Sequence, residues 1–413
     1  MKVKFRFITI GEIYLEDVSP TDIINKMIEQ LIISNAKLNN HEICECTCND
    51  RELDIEKTYK ELNINEYDRI DIISASNNND PNIPPELNLK LKKSIIRNCS
   101  CGYWGANKMA TFHKNNEQFL VYKSKTGHNL IIFSIDNEQT VQQYDKIFQA
   151  GKDANTIECI RYYNISNIDY IILSSMRCDV KLYRISENDL VELLHLKQIY
   201  NDDCIASCCL FSFPENNNIY IISSSSSYIK GGKMKIYSIK GELIKEIGEE
   251  EDLRLVDTHI KKNNVYIMAG TFSKGIKAYN YNDGSLFKQY LDPNEEKGSG
   301  HYSLIFLNEN EFIESTFYCS IRIWNFDTGV LIKKINSSCN NVGILLWDNN
   351  YLFTSSNWGN SDIKLIDIKK GEVVKIFPGH ISDVRCFLKI NHPKYGVSLL
   401  SCSEDGTIKL WTK

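Results

Sequence analysis

Short runs of alternating hydrophobic and polar residues make up most of this chain. Val3 to Ile10 and Ile13 to Val18 alternate with the period of two that marks strands, and Gly11-Glu12 turns between them. Ser19-Pro20-Thr21-Asp22 reads as a helix start: serine at the N-cap, proline next and an acid in the first turn. Ile24, Met27, Ile28, Leu31 and Ile32 follow at helical spacing. Ile43 to Cys48 and Arg69 to Ser74 return to strand, with a turn at Asp50-Arg51 and a short helix or turn over Tyr59 to Ile64. Residues 1–75 are therefore expected to form a separate α+β unit. Cys44, Cys46 and Cys48 fall on its third strand. Residues two apart on a strand lie about 7 Å apart, too far for three ligands on one ion, so these thiols are expected to face the core. Residues 76–91 are expected as a linker, because Asn77 to Asp80, Asn82, Pro81, Pro84 and Pro85 suit neither helix nor sheet interior.

From Lys92 onward one pattern recurs seven times: apolar, often Lys or Arg, apolar, then usually aromatic. It appears as Leu130 to Phe133, Val180 to Tyr183, Met234 to Tyr237, Ile276 to Tyr279, Ile321 to Trp324, Ile363 to Ile366 and Ile408 to Trp411. Successive copies lie 42 to 54 residues apart. That is the period of a four-stranded repeat. The last repeat stops one strand short, and Lys93 to Asn98 is an orphan strand just before the first. Residues 92–413 are thus expected as seven sheets in a ring, closed by strand 93–98.

The last repeat carries the sharpest signal. Gly379-His380 opens it, two apolar runs follow, Glu404-Asp405-Gly406 makes a turn, and the final strand ends on Trp411. This order resembles one repeat of the WD-repeat β-propeller family. The resemblance implies an all-β seven-bladed β-propeller, in which His380, Ser401 or Ser403, Asp405 and Trp411 form a buried hydrogen-bonded set. Thr412 stands where the family has its second Asp. His301 and Trp324 hold the matching places in the fifth repeat, where Tyr318 replaces the turn Asp. The N-terminal unit resembles the ubiquitin-like β-grasp fold, which implies a core of Leu15, Met27, Leu53, Leu62, Ile70 and Ile72. The chain runs past Ser74 without Gly-Gly, so conjugation is not expected. Thr47 sits where ubiquitin has its central patch residue, so ubiquitin's usual receptors are not expected partners.

Composition narrows the function. The chain has 413 residues, 42% hydrophobic and 24% charged, with a net charge of -5. Without a basic excess, direct nucleic-acid binding is not expected. No apolar run approaches the roughly 18 residues of a membrane span, and the first residues do not form a signal peptide. A cytoplasmic or nuclear protein is expected. Its 14 cysteines are scattered through apolar runs and read as free buried thiols, not disulfides.

No Gly-x-Ser-x-Gly elbow, phosphate loop or His-Glu-x-x-His helix is present, so no catalytic, cofactor or metal residue is assigned. His380 and Asp405 resemble a catalytic pair only on paper. In a propeller the loops from each fourth strand to the next first, and from second to third, share one face. That face would carry Tyr103, Trp104, Met176, Arg177, Tyr228, Tyr318 and Trp358, residue types that dominate interface energetics. Glu249 to Asp252 lies there too and suits a basic segment. The expected function is a non-enzymatic scaffold that binds proteins through this face and through the β-grasp unit. The architecture also resembles Notchless-type ribosome-assembly factors, in which an acid on the last β-grasp strand engages the metal site of a remodelling ATPase; the nearest position here is Ile73, with Asp71 two residues earlier. A ubiquitin-ligase substrate receptor is a third reading, though its Trp-Asp-x-Arg motif and an F-box-like helix are missing.

Overall fold

The structure is a computed structural model. It describes the chain outside residues 39–40, 50, 77–79, 102–106, 149–155, 187–188, 201–206, 214–217, 226–231, 249–252, 295–299, 317–319, 338–342 and 356–360.

The N-terminal unit has strands β1 (Lys2–Phe7), β2 (Glu12–Asp17), β3 (His41–Cys48), β4 (Arg51–Glu52) and β5 (Arg69–Ser76), with helix α1 (Ile24–Ser34). They form one sheet in the order β2-β1-β5-β3-β4, with β5 parallel to β1 and antiparallel to β3. Alternation along β1 puts Val3, Phe5 and Phe7 against Ile24, Ile28 and Leu31 of α1. The helix begins two residues beyond the predicted start motif. Asp22 instead closes a turn, accepting from the Ser19 amide at 2.7 Å. The first helical amides, Ile24 and Asn25, donate to the carbonyls of Lys57 and Ile55, so tertiary backbone caps the helix. Leu15 is not in the core: it is 51% exposed, because β2 turns Tyr14 inward and places Ile13 and Leu15 on the outer face. Leu53, Ile70 and Ile72 are buried in the core, with Met27 and Leu62 half-buried beside them. Tyr59 to Ile64 is a run of turns around a fully buried Tyr59.

A register shift in β3 between Ile43 and Glu45 separates the three spaced cysteines. Cys46 and Cys48 face the core, while Cys44 turns to the opposite face and its thiol meets the Leu91 carbonyl.

The stretch expected as an exposed linker is partly a packed element. Ile83, Leu87 and Leu89 are buried with Trp347, Phe353 and Phe377, because the apolar residues among the prolines reach a neighbouring core. The Asn88 side chain holds the turn, accepting from the Asp80 amide at 2.9 Å and donating to its carbonyl at 3.0 Å. Strand β6 then starts at Lys90 and ends at Arg97.

Among the described residues, seven four-stranded antiparallel sheets follow. The recurring apolar pattern forms the third strand of each, from Leu130–Ser134 in sheet 1 to Thr407–Thr412 in sheet 7. Sheets 1 to 6 use consecutive strands. In sheet 7 the fourth strand is β6, antiparallel to Thr407–Thr412. The first strands are Met109–Lys114, Ile157–Ile165, Ser207–Ser212, Leu253–Lys261, His301–Asn308, Ile344–Leu346 and Val384–His392. Each lies beside the first strand of the next sheet, and the seventh lies beside that of sheet 1. The result is an all-β, propeller-like cycle of sheets whose apolar faces stack on their neighbours. A disulfide joins Cys101 to Cys402, where only free thiols were expected, because β6 carries residues 99–101 back onto sheet 7.

Candidate functional site

In sheet 7, His380 lies before the first strand, Ser401 on the second, Asp405 in the following turn and Trp411 on the third. The Trp411 indole N–H donates to Ser401 Oγ at 2.7 Å, and Ser401 Oγ lies 2.7 Å from His380 Nε2. His380 Nδ1 lies 2.7 Å from Asp405 Oδ2. These contacts assign the tautomer: the Ser401 hydroxyl donates to Nε2, and Nδ1–H donates to the carboxylate. Asp405 also accepts from the Ile381 amide at 3.1 Å and from the Thr407 amide and hydroxyl at 2.9 and 2.6 Å. Burial opposes its ionisation, yet His380, Lys409 and Thr407 hold the carboxyl well below the usual range. Gly379 is required beside it, since a Cβ there would come within 2.9 Å of the Trp411 ring. Both His380 nitrogens are engaged and the side chain is fully buried. Ser403, the other candidate hydroxyl, donates to the Ser382 carbonyl at 2.9 Å.

Sheet 5 solves the same problem with a residue the sequence reading passed over. Glu314 takes the place of Ser401: each sits opposite the cation of its third strand, Arg322 and Lys409. Its carboxylate accepts from the Trp324 indole at 2.7 Å and from Arg322 Nη1 at 3.2 Å, and lies 2.6 Å from His301 Nδ1. The only signal in the sequence was a lone acid in the apolar run Phe312-Ile313-Glu314.

Three of the third-strand cations, Lys235, Arg322 and Lys364, have a common job. Lys235 donates to the Ile199 carbonyl at 2.7 Å, and Lys364 to that of Ser337 at 2.8 Å. Arg322 faces Asp292 at 3.6 Å. Each reaches the segment leaving the preceding sheet. Lys409 differs, because its buried ammonium meets Glu45 of β3 at 3.4 Å. Glu45 also accepts from the Ser94 hydroxyl at 2.7 Å and pairs with Arg97, both on β6. Burial alone would raise its carboxyl, but Lys409 and Arg97 hold it low. The N-terminal sheet is thereby docked on sheet 7, and Ile8, Thr47 and Ile73 line a cavity of about 60 Å³ between them, with Asp405 also in its wall.

Of the residues expected to bind a partner, Met176 and Arg177 lie at the turn between the second and third strands of sheet 2. Met176 is 44% exposed and Arg177 half-buried. The Met176 amide donates to the Thr156 carbonyl at 2.9 Å, which ties this turn to the start of the first strand. Tyr103, Trp104, Tyr228, Tyr318 and Trp358 lie outside the described residues, as do Glu249 to Asp252. No helix among the described residues is long and apolar enough to cross a membrane. No protein-family model matches the chain, and no curated protein matches it.

Proposed function

We propose that the chain is a WD-repeat-like, seven-bladed β-propeller preceded by a ubiquitin-like β-grasp unit, and that it serves as a non-enzymatic scaffold for other proteins. The observation that carries this reading is the cyclic succession of seven four-stranded sheets, with the seventh beside the first. Such a ring protects its strand edges and presents many loops on two faces, which suits binding. The strand order of the N-terminal sheet, with β5 parallel to β1, supports the β-grasp reading. Saturation of His380 by Asp405 and Ser401 supports a structural role for that set over a catalytic one.

The contact surface we assign is the loop face around Met176 and Arg177, with Tyr103, Trp104, Tyr228, Tyr318 and Trp358. We place the protein in the cytosol or nucleus. No observation favours the assembly-factor reading: Ile73 is buried against the neighbouring core, and Asp71 is held by Arg6 and Arg69 at 2.8 and 2.9 Å. None favours the ligase-receptor reading either.

The test is quantitative cross-linking of the full chain in cells, comparing wild type with a variant carrying Trp104→Ala, Met176→Ala, Arg177→Ala and Trp358→Ala. A scaffold of this kind loses a defined protein set in the variant while its melting curve is kept. Equal recovery of every partner by a folded variant would remove the loop face from consideration.

A further inference from the structure

We infer that Cys402 is a shared disulfide partner, bonding Cys101 or Cys99 in turn by an internal exchange at the seam where the cycle of sheets closes. This goes beyond partner binding and does not depend on it.

The seam is built by the chain that leaves β6. The Cys99 amide donates to the Gly406 carbonyl at 3.0 Å in sheet 7, and the Ser100 amide to the Lys123 carbonyl at 3.2 Å in sheet 1. Residues 98–100 thus bridge the last sheet and the first. Around them, Ile96, Met109, Tyr122, Leu400 and Ile408 form one apolar cluster drawn from both. Inside it the sulfurs of Cys99, Cys101 and Cys402 all lie within 4.8 Å of one another, and Cys99 Sγ is 3.9 Å from Cys402 Sγ. Among the described residues this is the one such group of three.

Burial decides what can react there. Cys101 and Cys402 are each 1% exposed and Cys99 is 2% exposed. While the seam is closed a thiol in solution does not reach the bond; as it opens, Cys99 is the sulfur already beside Cys402 and swings into line with the Cys101–Cys402 bond. In the exchange the Cys99 thiol gives up its proton and its sulfur attacks Cys402 Sγ. A Cys99–Cys402 bond forms, the Cys101–Cys402 bond breaks, and the electron pair leaves on Cys101 sulfur, which takes up a proton. The step is redox-neutral and needs no co-reactant. Burial, reinforced by Asp405, pushes the Cys99 thiol up and keeps it protonated in the closed seam. Exchange therefore accompanies opening of the seam, and the new bond ties sheet 7 two residues beyond the end of β6.

The test is disulfide mapping. Full-length protein is equilibrated in a glutathione redox buffer with urea below its unfolding midpoint, quenched in acid, alkylated with N-ethylmaleimide and digested. Two linked peptides are expected in wild type, Cys101 with Cys402 and Cys99 with Cys402. In Cys101→Ala, most of Cys402 should be linked to Cys99; in Cys99→Ala, the second peptide should vanish. A folded Cys101→Ala protein with Cys99 and Cys402 both alkylated would overturn the inference. If Cys101→Ala does not fold, the wild-type time course decides: the Cys101–Cys402 peptide alone, or glutathione on Cys402, overturns it equally.

Discussion

Glu45 and Lys409 stand 364 residues apart in the chain, yet their charged groups meet at 3.4 Å with both side chains buried. In sheets 3 and 6 the equivalent lysine is bound by a carbonyl of the preceding sheet's exit. In sheet 7 that duty passes to a carboxylate from another unit. The consequence is that the N-terminal sheet is not a tethered module but part of how the last sheet is completed. The outer face of β3 and β5 is occupied by the chain's own residues.

Removing one partner of this pair should be costly. Glu45→Ala leaves Lys409 buried without its carboxylate, an expected loss of about 3–5 kcal/mol. Glu45→Leu with Lys409→Met should recover most of it, since an apolar pair of similar volume is often as stable. The pH dependence has a definite sign. Glu45 is held below its ordinary value of 4.5, so its contribution is full above that value and lost as pH falls through the lower folded one. Denaturation of wild type and Glu45→Gln should therefore differ at pH 7 and converge in acid. A gap that stays constant down to acid unfolding would show that Glu45 does not ionise in the fold.

Truncation should expose the packed linker. Deleting residues 1–79 keeps Ile83, Leu87 and Leu89 against Trp347, Phe353 and Phe377, whereas deleting residues 1–89 removes all three. Each buried aliphatic side chain contributes on the order of 1.5–3 kcal/mol. The Lys375 ammonium also loses Asn88, its acceptor at 3.0 Å. The longer product should melt well above the shorter one and remain monodisperse in size-exclusion chromatography. Equal melting temperatures would show that residues 80–89 only cover the surface.

What the sequence made legible followed from repetition. The pattern from Val180-Lys181-Leu182-Tyr183 to Ile408-Lys409-Leu410-Trp411 marks third strands because those strands are buried on both faces and tolerate little variation in polarity. What was hidden depended on contacts between distant segments. Nothing near Leu15 says that Tyr14 will be the inward residue of β2. Prolines and asparagines masked Ile83, Leu87 and Leu89, whose burial needs a core from sheet 6. The same holds for Cys101 and Cys402: 301 residues separate them, and only the return of β6 onto sheet 7 brings them together. Composition argued against a disulfide from compartment, and compartment says nothing about topology. Tyr103, Trp104, Tyr228, Tyr318 and Trp358 lie outside the described residues, so the aromatic loop face rests on sequence alone.

The set in sheet 7 should behave as a stability element. Asp405→Ala strips acceptors from His380, the Ile381 amide and Thr407, which should cost ~1–3 kcal/mol or more. Ser401→Ala breaks the link between Trp411 and His380 and should cost a similar amount. Because Asp405 is depressed, its contribution is full above the ordinary carboxylate value and disappears as pH falls through the folded one. Urea titrations with an unchanged slope would locate the effect in the native state. If Asp405→Ala keeps the wild-type midpoint but loses partner binding, the residue is functional and the structural assignment fails.

Sheet 5 should be more sensitive than sheet 7 to loss of its acid. Glu314 serves Trp324, Arg322 and His301 together, with both carboxylate oxygens in use and no exposure. In sheet 7 the same work is divided between Ser401 and Asp405. Glu314→Ala therefore removes the carboxylate that faces a buried guanidinium and leaves the Trp324 indole N–H without its acceptor. The expected cost is about 3–5 kcal/mol, the range for breaking a buried ion pair. Glu314→Gln keeps an acceptor for Trp324 but removes the charge opposite Arg322, and should fall between wild type and alanine. Glu314→Ser, which copies sheet 7 without a turn carboxylate, should be no better than glutamine. Ordering the four proteins by thermal melt tests the scheme directly. If serine restores wild-type stability, then the charge of Glu314 is dispensable and His301 is held by another group.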